Sequence, residues 1–206
     1  MTAKRRWWPS FSPLAGPNKL MLLTTLGLIG IFGTTLISNL ATKQEAKAND
    51  MATGNDWVDA SFPVENFAAY TSPFGPRGGD FHYGLDLAAP MGSYIRSWWS
   101  GVVVEIIDDN RCGTGIIVQS GEWEHIYCHI QGSAEKSGGV SYLVDRNGGI
   151  ILGEGQVVPA GARIARVGMT GRTSGPHLHW GLKYDGSWVD PALVLQQMYD
   201  RQEEKV

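Results

Sequence analysis

Two of the five histidines in this 206-residue chain stand one residue apart, His177 and His179 in the run SGPHLHW. On a strand alternate side chains share a face, so both rings point the same way, with Cα atoms roughly 6.6 Å apart. At that spacing two imidazoles converge on one centre: one ligates a metal ion, the other reaches a water on it. The bland alternative is a pair of exposed or merely hydrogen-bonded histidines, and an isolated HxH does not exclude it. A second cluster weighs against it. FHYGLDLAAP (81–90) holds His82 and Asp86 with Gly84 between them. On a flat strand at ~3.3 Å per residue the two would lie roughly 13 Å apart, too far to chelate together. The segment must therefore bend, and Gly84 permits the bend while leaving no side chain where an ion would sit. His82, Asp86 and one histidine of the HxH pair make two nitrogens and one oxygen, the protein ligand set of a catalytic zinc site whose fourth position is water. A third cluster, EHIYCHI (124–130), places His125, Tyr127 and His129 on one strand face. His129 is a candidate for a group acting beside the metal. His125 reads as a polar residue at the sheet surface or groove rim.

The elements that must position these residues are short. From Phe62 onward the chain is dense in glycine, and its apolar runs (VVVEII, GIIVQS, SYLV, RIARV, HLHWGLKY) are separated by turn signals such as Asn147-Gly148 and Asp185-Gly186. This pattern predicts an all-β domain over 62–200, about ten short strands in antiparallel hairpins. One helix is expected at its end, capped by Asp190, begun by Pro191 and packed through Leu193, Leu195, Met198 and Tyr199, with a short tail over 201–206. Trp98 and Trp99 fall on opposite faces of their strand, which predicts one in the core and one exposed. Cys112 and Cys128 flank a hairpin. A short loop at Gln119-Ser120-Gly121 would pair 118 with 122 and bring 112 opposite 128, so a disulfide is expected there.

The amino-terminal part differs in character. Residues 1–48 carry six basic residues against Glu45, which leaves the remaining chain at −8 when subtracted from the whole-chain −3. An acidic domain of this kind has no electrostatic footprint for nucleic acid. Leu20–Leu40 contains no charged residue and as a helix would span roughly 31 Å, about one hydrocarbon core. With basic residues over 1–19 ahead of it, the run predicts a membrane anchor whose downstream domain is exported to the periplasm or cell surface. The other reading is a removed signal peptide cleaved after Ala46-Lys47-Ala48. Residues 41–61 are small and polar and read as a tether.

Taken together, the three histidine clusters resemble the lysostaphin-like zinc metallopeptidases of the LytM type, the M23 peptidase family, over about residues 62–195. SPFGPRGGDFHYGLDLAAPMGSYIRSWWSGVVV is similar to the family's opening block with its HxxxD, EHIYCHI to its middle histidine motif, and QVVPAGARIARVGMTGRTSGPHLHWGLKYDGSWVDPALVL to its closing block with HxH. The resemblance implies a two-sheet β domain of the hybrid barrel-sandwich kind with a groove. It implies Zn2+ held by His82, Asp86 and His179, catalytic histidines at His129 and His177, and hydrolysis of peptide cross-links in bacterial peptidoglycan. Both glycine bridges and D-alanyl cross-links are cut within the family. SAEKSGGVSYLVDRNGGIILGEG (133–155) departs from the pattern: it lengthens the link between the middle and closing blocks, contains a hairpin turning at Asn147-Gly148, and is expected to form one groove wall. The competing reading is a non-catalytic, membrane-anchored scaffold that binds wall peptide or activates another hydrolase; family members of that kind have lost ligands, whereas all five positions are intact here. A lipoyl- or biotinyl-type carrier is excluded because 157–176 contains no lysine.

Overall fold

The computed structural model describes residues 57–204. The basic segment 1–19, the apolar run 20–40 and the tether up to residue 56 lie outside the described residues. Among those described, no helix is long and apolar enough to cross a membrane.

The described chain runs through β1 (Ala69–Ser72), β2 (Gly75–Arg77), β3 (Asp80–His82), β4 (Leu85–Ala88), β5 (Tyr94–Arg96), β6 (Gly101–Asp109), β7 (Gly113–Ser120) and β8 (Trp123–Cys128). It continues through β9 (Ser133–Ser137), β10 (Val140–Asp145), β11 (Ile150–Gly153), β12 (Val157–Val158), β13 (Arg163–Arg166), β14 (His177–Tyr184) and β15 (Ser187–Val189) to one helix, α1 (Pro191–Glu203). The architecture is the expected all-β one, with more and shorter strands. An eight-stranded antiparallel sheet runs β1-β4-β14-β8-β7-β6-β12, with β15 also paired to β14. The segment 133–155 supplies a separate three-stranded sheet, β11-β10-β9, and β13-β5 and β2-β3 form two small pairs.

The long strands have the composition that a half-buried sheet selects. Ile116 and Val118 of β7, Tyr127 of β8 and Leu178 and Trp180 of β14 are fully buried, and such β-branched and aromatic side chains pack well on a pleated face. The helix begins where expected: Ala192 N donates to Asp190 Oδ1 at 2.9 Å, and Pro191 occupies the first turn. Its buried stripe is Pro191, Val194, Leu195 and Met198, whereas Leu193 and Tyr199 are exposed. Residues 191, 194/195 and 198 share one helical face, so Val194 takes the place expected of Leu193 and Tyr199. Trp57 and Ala60, within the stretch expected as tether, are buried against the domain, where Gln202 Nε2 donates to both their carbonyls.

Three expectations fail locally. Trp98 and Trp99 are both buried. β5 ends at Arg96, so strand alternation does not govern them; Ser97 Oγ donates to Trp99 O at 2.7 Å and Trp98 N to Tyr127 Oη at 2.8 Å, turning both rings inward. His125 is not at the surface: it is fully buried, on the core face with Tyr127, with its ring edge-on to Trp98 at 4.9 Å and neither nitrogen hydrogen-bonded. The hairpin register also differs. Ser120 pairs with Trp123 and Val118 with His125, not with 122. The disulfide forms nevertheless, Cys112 to Cys128 with Cα atoms 4.8 Å apart, because Cys112 lies in the turn between β6 and β7 that folds across the end of β8.

Two outcomes follow from these contacts. The Cys112–Cys128 bridge spans 16 residues, and closing a loop of that size contributes about 3 kcal/mol in the chain-entropy picture. A Cys112→Ala/Cys128→Ala variant is expected to lose about that much stability in denaturant unfolding. Burial holds the His125 ring down to about 3, below the ~6.5 of an unfolded histidine. The unfolded chain therefore takes up this proton first, and stability is lost as pH falls from about 6.5 towards about 3, by up to ~1.4 kcal/mol per pH unit. Urea unfolding across that window is expected to show a shallower acid limb in His125→Phe than in the parent.

Candidate metal centre

β14 carries both histidines of the HxH pair on one face, as its alternation requires. Its register sets His177 beside Ala88, and His179 between Asp86 of β4 and Cys128 of β8. Leu178 and Trp180, on the other face, are in the core. His82 arrives from a different pair: β3 ends at His82, the chain bends over Tyr83-Gly84, and β4 starts at Leu85. The bend shortens what would be a long flat separation to 3.1 Å between His82 Nε2 and Asp86 Oδ1. His179 Nδ1 lies 2.9 Å from Asp86 Oδ1 and 3.0 Å from His82 Nε2.

These three atoms form one cluster of electron-pair donors. His82 Nδ1 lies 2.8 Å from the carbonyl of Pro73, which can only accept, so Nδ1 carries the proton and a neutral ring turns its Nε2 lone pair to the cluster. Burial pushes the Asp86 carboxyl up, but the hydrogen bonds it receives when His179 and His82 are imidazolium rings outweigh this and hold it well below the usual carboxylate range. Burial pushes the His179 ring down, opposed by its bond to Asp86. An anionic oxygen and imidazole nitrogens gathered this closely suit a divalent cation of zinc's preference. Among the described residues this is the one metal-competent group of histidine, cysteine and acidic side chains. Gly84 makes room for it: a Cβ there would lie 2.5 Å from His179 Cε1 and 2.9 Å from the carbonyl oxygen of Trp180.

Two further histidines flank the cluster. The His177 ring is 4.8 Å from that of His129, and His177 Nε2 is 3.6 Å from Asp86 Oδ1. His177 Nδ1 faces Gly175 O at 2.8 Å and Thr173 Oγ1 at 3.2 Å, and His129 Nδ1 faces Thr170 O at 2.9 Å. In both rings the proton therefore sits on Nδ1, leaving Nε2 as the free base. Burial pushes the His129 ring down to about 4, which keeps it neutral at pH 7. All five residues singled out in the sequence are thus brought together. The route of His129 differs from expectation. It does not share the strand face of His125 and Tyr127: β8 ends at Cys128, and His129 takes φ +63°, a left-handed conformation uncommon outside glycine that swings its ring to the β14 histidines. The carbonyls of Pro73, Thr170 and Gly175 went unnoticed in the sequence, since a backbone acceptor has no residue signature; Thr173, four before His177, is the one partner with a side-chain signal.

Residues 80–191, more than half of the chain, match the family model described as Peptidase family M23. The DD-carboxypeptidase/endopeptidase Mpg of Neisseria meningitidis is 28% identical over 135 residues, covering 62% of this chain and 27% of that protein. The peptidoglycan DD-endopeptidase ShyA of Vibrio cholerae is 31% identical over 110 residues, covering 53% of this chain and 22% of that protein. The chain thus spans about a quarter of the length of these curated relatives. The crystal structure of a zinc containing peptidase from Vibrio cholerae superposes with a TM-score of 0.51 at 27% identity, covering 63% of this chain and 37% of that one.

Gly84→Ala tests the cradle directly. The added methyl group displaces the His179 ring, so affinity for zinc is expected to fall on the order of 10–100-fold, as for other changes that misorient a ligand, while the unfolding midpoint of the metal-free protein moves little. Titration with a competing chelator reads the first quantity and thermal unfolding the second.

Proposed function

Because the chain belongs to peptidase family M23, we propose that it is a zinc-dependent endopeptidase that hydrolyses peptide cross-links of bacterial peptidoglycan. The observation that carries this reading is the convergence of His82, Asp86 and His179 beside two histidines that present free Nε2 atoms. His82, Asp86 and His179 hold the zinc ion in this reading. Bound there, zinc supplies Lewis acidity, lowering the pKa of a water toward ~7 and polarising a carbonyl.

The remaining work falls to the chain's own groups. His129 and His177 each donate Nδ1–H to a backbone carbonyl, which fixes the tautomer and orients the ring. One takes the proton of the attacking water on Nε2; the other stabilises the developing oxyanion or returns the proton to the leaving amine. Imidazole fills the role that a glutamate has in many zinc peptidases, since the one glutamate in the three motifs, Glu124, is held by Lys183 Nζ at 2.7 Å. Peptidoglycan as substrate is supported by the activity named for ShyA.

The reading also places the domain outside the cytoplasm. The apolar run 20–40 serves as the anchor and the polar stretch that follows as the tether. The basic residues ahead of the run and the Cys112–Cys128 disulfide both suit an exported domain. An enzyme held to its own membrane suits remodelling of its host's own wall.

The test is zinc content measured beside release of fragments from purified peptidoglycan. His82→Ala, Asp86→Ala and His179→Ala are expected to lose metal and turnover together. His129→Ala and His177→Ala are expected to keep the metal and lose turnover by roughly 10²–10⁴-fold, the usual loss for one acid–base group. A metal-free His177→Ala beside a zinc-loaded His179→Ala would exchange their roles. A zinc-free parent that leaves peptidoglycan intact yet activates another hydrolase would replace the enzyme with the scaffold.

A further inference from the structure

His129 holds a backbone conformation that it would not adopt unaided. A left-handed residue other than glycine persists only where its surroundings over-determine it. Here the surroundings are two segments remote in sequence. From one side, His129 N donates to Cys112 O at 2.8 Å. From the other, the segment 166–170 lies along 129–131: Gln131 N donates to Arg166 O at 2.8 Å, Gly168 N to His129 O at 2.9 Å, and Thr170 O receives the His129 ring. Ile130 and Val167 form an isolated bridge between the two. The approach is backbone on backbone, since a Cβ at Gly168 would lie 2.7 Å from Gln131 N and 2.9 Å from His129 O. The position of 166–170 therefore sets the position of His129.

That segment is in turn held at its first residue. Arg166 makes a two-pronged bond to Asp145, Nε to Oδ2 at 2.7 Å and Nη2 to Oδ1 at 2.8 Å. Asp145 ends β10, the middle strand of the three-stranded sheet, and is only 4% exposed. Gly148 N donates to the same carboxylate at 3.1 Å, and the turn closes over the pair so tightly that a Cβ at Gly148 would strike Arg166 Nε. A planar guanidinium fork on a carboxylate fixes direction as well as distance.

From these contacts we infer that Asp145 and Arg166 are a positioning pair for His129, and that the 133–155 sheet braces the catalytic centre. The inference rests on the reading of His129 as an acid–base group. Asp145 and Arg166 act through the 166–170 segment and make no contact with the reacting atoms.

A double-mutant cycle in the full chain tests it, with kcat, KM, zinc content and thermal unfolding measured on soluble peptidoglycan fragments. Asp145→Asn is expected to lower kcat by roughly 10–100-fold, the usual effect of a small misplacement of a reacting group, with KM and zinc content unchanged. Arg166→Lys keeps a cation opposite Asp145 but loses the fork, so its loss should be smaller; it carries the test if Asp145→Asn does not fold. In a His129→Ala background, with its low residual rate, neither substitution should change kcat further. An equal fold-loss in both backgrounds would mean a general loss of structure and overturn the inference. A rise in KM at constant kcat would reduce the sheet to a groove wall. Unchanged kinetics in Arg166→Lys and Asp145→Asn, with His129→Ala inactive, would sink the inference and leave the enzyme reading standing. A fully active His129→Ala would remove the inference together with the acid–base role of His129 on which it rests.

Discussion

Three electron-pair donors within 3.1 Å of one another do not gather of their own accord. Their mutual repulsion and their desolvation both oppose it, and the rest of the molecule is arranged to impose it. β14 is flanked by β4 on one side and β8 on the other, so the pleat alone sets His179 against Asp86. The bend at Gly84 brings in His82 from a strand of another sheet. The core beneath, with Trp180, Leu178 and Leu87 fully buried, holds that register, because a slip by one residue would bury the histidines and expose the tryptophan.

The histidines beside the cluster depend on a different device. Their rings are held by backbone carbonyls, which carry no charge and do not titrate. The Nδ1 proton is therefore held by a neutral acceptor, while Asp86 lies on the other side, 3.6 Å from His177 Nε2. The cost sits in the backbone, as the left-handed His129, and is offset by hydrogen bonds from segments on both sides. The unpaired nitrogens of buried His125 are a separate expense, borne in an aromatic core that tolerates its ring shape.

Much of this was legible in the sequence, for reasons that can be stated. HxH and HxxxD are local patterns whose geometry follows from strand alternation and from one glycine, so the cluster could be assembled up to the choice between His177 and His179, which only the family resemblance made. Alternation misled where strands end: His129 stands one residue beyond β8, and Trp98 and Trp99 beyond β5, and there tertiary hydrogen bonds decide where side chains point. The polarity of His125 suggested the surface, but its register position beside Val118 and Leu182 is interior, and register outweighed residue type. The disulfide was anticipated with the wrong hairpin register, because a turn that folds over a strand end brings cysteines together without their being cross-strand partners. The pairing of Arg166 with Asp145 left no pattern in the sequence, since each is an ordinary charged residue until the two sheets meet.

The place of β14 has a consequence for how the molecule comes into being. It is the last long strand in the chain, yet in the eight-stranded sheet it lies between β4 and β8, both of which precede it. A polypeptide that emerges from its amino-terminal end can form the β6-β7-β8 meander early, from local contacts, but β4 and β8 have no edge to share until His177–Tyr184 is delivered. Until then His82 and Asp86 lack their third partner and His129 has neither Thr170 to hold its ring nor His177 to face. The centre is therefore closed only when residues 170–184 arrive, and a chain that stops before them carries parts of the site without the site.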